Sequence, residues 1–197
     1  MLVAALAFGV ADGKQKAVDI YELTLDENLE QPEIKNNRQA ERISDYQYEV
    51  AVALKKKNYE YDVELMRDDQ VIVISLTSDK LFAANDTVLT DQGKSLLRPL
   101  LGYLKPAGMY KMLLVMHSDN TGSDKYTLSL SNARVNAVYD WIDETSSVDF
   151  VVPYALGDTD PVTDNNSIEN RKRNRRLEIY LVPGEQMIQM AKKGQIK

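Results

Sequence analysis

The stretch MHSDNTGSDKYTLSLSNAR, Met116 to Arg134, holds the only histidine of this 197-residue chain, then an aspartate, a glycine and a run of hydroxyls. Four kinds of chemistry could use such residues. Nucleophilic catalysis needs a nucleophile, a base and an orienting acid in contact. His117 and Asp119 are two apart, so on an extended backbone both can point the same way. Ser118, Thr121, Ser123, Thr127, Ser129 and Ser131 all offer hydroxyls, which singles out none, and no G-x-S-x-G turn surrounds any of them. The pattern argues against an enzyme. One histidine among scattered carboxylates lacks zinc-ligand spacing, and DNTGSDKYT has no acid at the closing position of a calcium loop. DNTGS also lacks the glycines and the lysine-hydroxyl pair of a phosphate loop. Neither a metal nor a cofactor is expected.

Arg134 is the informative residue. If Ser131 caps the following helix, Arg134 falls in the first turn, where a cation faces the positive end of the helix dipole. One explanation is a solvated or acid-paired arginine. The other is an anion site, in which helix amides and a guanidinium receive a ligand carboxylate. Asp119 on the adjoining strand end would then meet an ammonium on the same ligand. An acid and a base side by side suit a zwitterion, and binding it needs no catalytic base. On this reading His117 is a structural residue.

The elements that must carry these residues are legible from periodicity. YDVELM and QVIVISL read as two strands, Tyr61–Met66 and Gln70–Leu76, joined by a hairpin turn at Arg67-Asp68-Asp69. LTDQGKSLLRPLLGYLK reads as a helix capped by Thr90 or Asp91, with a kink at Pro99. YKMLLVMH is a short apolar strand and NARVNAVYDWIDE a helix burying Val135, Val138, Trp141 and Ile142. DFVVPYALG is a strand, DTDPVTDNNSIENRKRN a long polar loop, and RLEIYLV the last strand. The order β-α-β-α-β-β predicts one α/β domain, an α+β sandwich with helices packed on a mixed sheet, over residues 59–182. Before it, residues 12–36 read as a flexible arm and Asn37–Asn58 as an amphipathic helix with Ile43, Tyr46, Val50, Ala53 and Leu54 on one face. After it, residues 183–197 read as a tail with a short, weakly ordered helix.

The net charge is −6, and all of it falls before Gln70. An acidic chain is a poor general ligand for nucleic acid, and the basic run RKRNRR, Arg171–Arg176, has no interleaved aromatics. That run is either solvated and paired with Asp160, Asp164 and Glu169, or a surface for an acidic polymer. The chain has no cysteine, hence no disulfide and no thiolate site. MLVAALAFGVA, residues 1–11, has the length of a signal-peptide core and is too short to span a bilayer. Cleavage after Ala11 and export to the periplasm are the expectation.

Three motifs in order resemble those of the OmpA-like peptidoglycan-binding domain, which also occurs in Pal-type lipoproteins and flagellar stator B subunits. The family pattern H-T-D-x-x-G stands here as His117-Ser118-Asp119-Asn120-Thr121-Gly122. The L-S-x-x-R-A pattern stands as Leu130-Ser131-Asn132-Ala133-Arg134, with Val135 in place of the final alanine, and N-R-R-V-E-I as Asn174-Arg175-Arg176-Leu177-Glu178-Ile179. SDKLFAANDTVLTDQGKSLL is similar to the family's opening strand end, its L-F pair and first helix.

The resemblance implies non-covalent binding of the diaminopimelate-type stem peptide of peptidoglycan. Asp119 would receive the amine and Arg134 the carboxylate. Thr121 and Gly122 would shape the loop, Thr127 would stand in for the family's asparagine, and Arg175 would support the pocket. It further implies a periplasmic, wall- or outer-membrane-associated anchor of a Gram-negative envelope. A partner envelope protein would attach through the N-terminal region, and a homodimer is left open. Thr127 and Ala83, which stands where an acid often follows the L-F pair, leave a second reading. In it the same fold is a structural or protein-interaction module without wall binding.

Overall fold

Alternation of apolar and polar residues builds a hairpin first. In the computed structural model, which describes residues 5–6 and 18–196, Asp62–Met66 (β3) pairs antiparallel with Val71–Thr77 (β4). Ahead of it, Ala5–Leu6 (β1) pairs with Val18–Asp19 (β2), and Leu25–Glu30 (α1) and Asn37–Lys57 (α2) follow. The expected cleavage site after Ala11 lies outside the described residues. The hairpin turn at Arg67, Asp68 and Asp69 has three successive positive φ angles of 56°, 52° and 62°. Short polar side chains tolerate that region; Arg67 is held there by donating to the Leu29 carbonyl at 2.7 Å and the Pro32 carbonyl at 3.0 Å.

Asp91–Leu97 (α3) starts where Thr90 accepts a hydrogen bond from the Gly93 amide. Pro99 does not end the element but tightens it, and Arg98–Leu104 continues as a 3-10 helix. Pro99 lacks the amide that would continue the ladder, and the Leu96 carbonyl one turn back accepts from the Tyr61 hydroxyl at 2.6 Å. Then come Tyr110–His117 (β5), Asp124–Thr145 (α4), Val151–Gly157 (β6), Ile168–Asn174 (α5), Arg176–Pro183 (β7) and Glu185–Lys192 (α6). The sheet order is β3-β4-β7-β5-β6, with β5 and β6 parallel and the other neighbours antiparallel. A mixed five-stranded sheet with helices packed on it is the expected fold class.

One sheet face carries the main core. Ile72, Ile74 and Leu76 of β4, Met112, Leu114 and Met116 of β5 and Leu177, Ile179 and Leu181 of β7 pack under the helices, α2 and α6 among them. The described part of the expected tail, residues 183–196, is therefore packed structure: Met187, Ala191 and Ile196 are buried in that core, and Arg42 of α2 donates to the Ala191 carbonyl at 2.7 Å. The other face has a smaller core of Val71, Leu113, Val152 and Val182. It is covered by residues from Ile20 to Leu29, so the described part of the expected flexible arm is packed structure. Its α1 has a full capping box, Thr24 with Glu27. The long polar loop likewise contains a helix, α5, capped by Ser167.

Candidate functional site

The largest departure from expectation concerns the helix that carries Arg134. The helix does not begin at Ser131. Ser123 is the cap, accepting from the Tyr126 amide, and α4 runs from Asp124. Arg134 is thus well inside the helix, away from its positive end, and the dipole argument for an anion site does not apply. Ser131 is buried, and its hydroxyl has no partner among the described residues.

The guanidinium is held in another way. Arg134 is 5 % exposed; its Nε donates to the Asp86 carbonyl at 2.8 Å and an Nη to the Ala83 carbonyl at 3.3 Å. Its carbon centre lies 5.1 Å from the centre of the Phe82 ring, a cation–π contact. Burial lowers its pKa from the ordinary arginine value, which still leaves it charged at any working pH.

Asp119 follows the end of β5, where the Ser118 amide donates to the carbonyl of Gly157, the last residue of β6. It is 4 % exposed. One carboxylate oxygen accepts from the Thr121 amide at 2.8 Å and the other from Arg175 Nη1 at 2.5 Å. Burial alone would raise its pKa; the hydrogen bonds from Thr121 and Arg175 outweigh that and lower it. Arg175 also grips Asp79 with two donors at 3.1 and 3.2 Å, and those contacts raise its own pKa.

These side chains open on one cleft of about 730 Å³. Asp79, Asp119, Arg134 and Arg175 supply its charge, with Phe82, Thr121, Gly122 and Tyr126 around them. Gly122 has φ of +119°, and a Cβ there would come within 2.8 Å of the Tyr126 ring. Five of the six expected site residues meet at this cleft. Thr127 does not. It is fully buried on the side of α4 toward β6, where its hydroxyl donates to Asp158 Oδ1 at 2.7 Å.

Asp79, Phe82 and Tyr126 were missed as site residues. A usable signal existed for Asp79, an acid just ahead of the L-F pair. His117 is buried and away from the cleft, with Nε2 3.2 Å from Glu178. Among the described residues no cluster of three or more histidine, cysteine or acidic side chains could hold a metal. No described helix is long and apolar enough to cross a membrane.

Residues 81–175, which span the L-F pair, the cleft apart from Asp79 and the first arginine of the last motif, match the OmpA family. Just under half of the chain therefore resembles the OmpA family. Outer membrane protein A of Bordetella avium is 24 % identical over 110 residues, 55 % of this chain and 57 % of the relative. The chain thus spans little more than half the length of that relative. Among solved structures, a putative MotB-like protein of Desulfovibrio vulgaris shares the fold at 22 % identity, with a TM-score of 0.63 over 74 % of this chain and 98 % of the other. The cell wall anchor of the T6SS from Pseudomonas aeruginosa is 29 % identical, with a TM-score of 0.58 over 68 % of this chain and 95 % of the other. The domain here keeps the fold of both.

Proposed function

We propose that this chain binds peptidoglycan without altering it and serves as an anchoring module of the cell envelope, on the periplasmic side. Its ligand is the diaminopimelate-type stem peptide, with an ammonium on Asp119 and a carboxylate on Arg134. The carrying observation is that a carboxylate and a guanidinium from distant elements are buried at one cleft and each keeps unused capacity. A carboxylate has about four lone-pair sites, and two are taken at Asp119; a guanidinium has five donors, and two are taken at Arg134. Arg134 can therefore hold its carbonyls and still meet a ligand carboxylate with a pair of hydrogen bonds. Similarity to a protein described as a cell wall anchor supports the same reading. Attachment to a further envelope protein through the residues before β3 belongs to the proposal.

Both oxygens of Asp119 are already engaged, and this favours a second reading, a protein-interaction module that has ceased to bind the wall. Co-sedimentation with purified sacculi separates the two. Wild type is expected to sediment with diaminopimelate-containing sacculi and less with lysine-containing ones, and Asp119→Ala and Arg134→Ala to stay in the supernatant. Variants that sediment like wild type would refute the pocket. A wild type that does not sediment would favour the second reading, and release of soluble muropeptides would reinstate an enzyme.

A further inference from the structure

β3 is the outer strand of the sheet, with β4 as its one neighbour. Which of its main-chain groups stay free follows from the next ladder. The Ser78 amide donates to the Arg175 carbonyl at 2.9 Å, so Leu76, Ile74 and Ile72 turn their main-chain groups to β7. Ser75, Val73 and Val71 then turn theirs to β3, where their partners are Asp62, Glu64 and Met66. The N–H and C=O groups of Val63 and Leu65 therefore point off the sheet. Among the described residues no backbone group from outside the sheet bonds to them. Side chains alternate as well: Val63 is buried in the main core, whereas Asp62, Glu64 and Met66 are exposed on the outer face. There they wall a groove of about 440 Å³, floored by Val73 and Ser75 of β4, with Val162 and Arg173 also in its lining. The residues from Ile20 to Leu29 cover a different part of this face, over Val71, Leu113, Val152 and Val182.

We propose that this edge takes an extended basic segment of a partner protein, added antiparallel to β3, with lysine or arginine at alternate positions. In such a pairing Val63 and Leu65 make the hydrogen-bonded rungs. Asp62 and Glu64 then fall in the non-hydrogen-bonded pairs, where facing side chains come closest. Their carboxylates recur about every 7 Å along the strand, the repeat of alternate side chains on any extended chain. Glu60, just before the strand, is paired with Lys80, but Asp62 and Glu64 have no basic partner among the described residues. Open acids beside open rungs select an incoming strand by both its charge and its spacing. A second copy of the chain is a poor occupant, since antiparallel pairing centred on β3 would set Glu64 against its own counterpart. The same acids repel acidic strands and so guard the edge against indiscriminate pairing. The groove shares no lining residue with the cleft of Asp119 and Arg134, so this docking does not depend on wall binding.

Nuclear magnetic resonance of the full chain, titrated with short capped peptides, tests the edge with no wall present. The probes are lysine alternating with threonine, glutamate alternating with threonine, and lysine alternating with proline. The proline peptide keeps the charge of the first but lacks every second amide, which strand addition needs. The lysine–threonine peptide is expected to shift the Val63 and Leu65 amides and slow their hydrogen exchange while β5 stays unchanged. Neither other peptide should do so. Asp62→Lys combined with Glu64→Lys should weaken the lysine–threonine peptide about tenfold and make the glutamate–threonine peptide the tighter binder. Should that variant not fold, the threonine and proline peptides compared on wild type still decide. A lysine–threonine peptide that leaves the β3 amides unmoved, a proline peptide that binds equally well, or a charge-swapped chain with unchanged preference would each overturn the proposal. Protection of Val63 and Leu65 that grows with protein concentration in the absence of peptide would also overturn it, by giving the edge to a second copy.

Discussion

Arg134 shows how the cleft makes a strong group out of a buried charge. Its carbonyl partners, Asp86 and Ala83, belong to the loop before α3, and Phe82 lies against the guanidinium plane. The planar fork serves both the loop and the ligand, because its donors diverge in fixed directions. A lysine carries the same charge at a single point. It could not hold both carbonyls, lie against Phe82 and still present two parallel donors. If the wall reading holds, Arg134→Lys should therefore lose affinity for sacculi almost as fully as Arg134→Ala, at least tenfold, with loss of a charge-assisted pair worth roughly 1.5–3 kcal/mol. Sedimentation across a sacculus dilution series measures this. A lysine variant that retains wild-type affinity would mean that bulk charge, not the fork, does the binding.

At the scale of the element, α4 explains both what was legible and what was not. Its buried positions are Thr127, Ser131, Arg134, Val135, Val138, Trp141 and Ile142, a helical stripe throughout. The last four are apolar and mark a helix by their spacing alone. The first three are polar, so hydrophobic periodicity starts two turns late and Ser131 looks like a cap. Ser123 followed by Asp124 was the usable start signal, a hydroxyl cap and then an acid in the first turn. The two serines give a direct test. Ser123→Ala should cost about 1 kcal/mol, because the Tyr126 amide keeps the Ser123 carbonyl but loses the capping hydroxyl. Ser131→Ala should cost nothing or stabilise slightly, since its buried hydroxyl has no partner and alanine is the better helix former. Urea unfolding of both variants reads the difference, and the opposite ranking would place the helix start at Ser131.

For the whole molecule, the sheet and the motif residues at its strand ends were readable because β4, β5 and β7 are short apolar runs bounded by polar turns. The layer on the outer face was not, because residues 19–32 have weak periodicity and are held largely by main-chain oxygens, which Lys111 and Arg67 grip. One hint was present: YKMLLVMH is apolar on both faces, and every residue of β5 is buried, as in a strand covered on two sides. That doubly covered strand ends in a polar network which no periodicity reveals. Glu178 of β7 accepts from Arg176 Nε at 2.7 Å and the Tyr180 hydroxyl at 2.5 Å, and lies 3.2 Å from His117 Nε2. Burial would raise its pKa, but the hydrogen bonds from His117 and Tyr180 and the Arg176 charge hold it at about 2, against an ordinary 4.5. The sign follows from linkage. Stability from this depression is fully present above 4.5 and is lost as pH falls through 2, a change on the order of 3 kcal/mol. Glu178→Gln leaves buried Arg176 and His117 with only the exposed Asp160, 3.6 and 3.9 Å away, so it should be less stable than wild type at pH 7. Between pH 4.5 and 2 the stability gap should then close, because wild type loses what the variant never had. Urea unfolding at several pH values in that window measures the gap; one that stays constant would show that Glu178 is not the carboxylate that couples this sheet to acid.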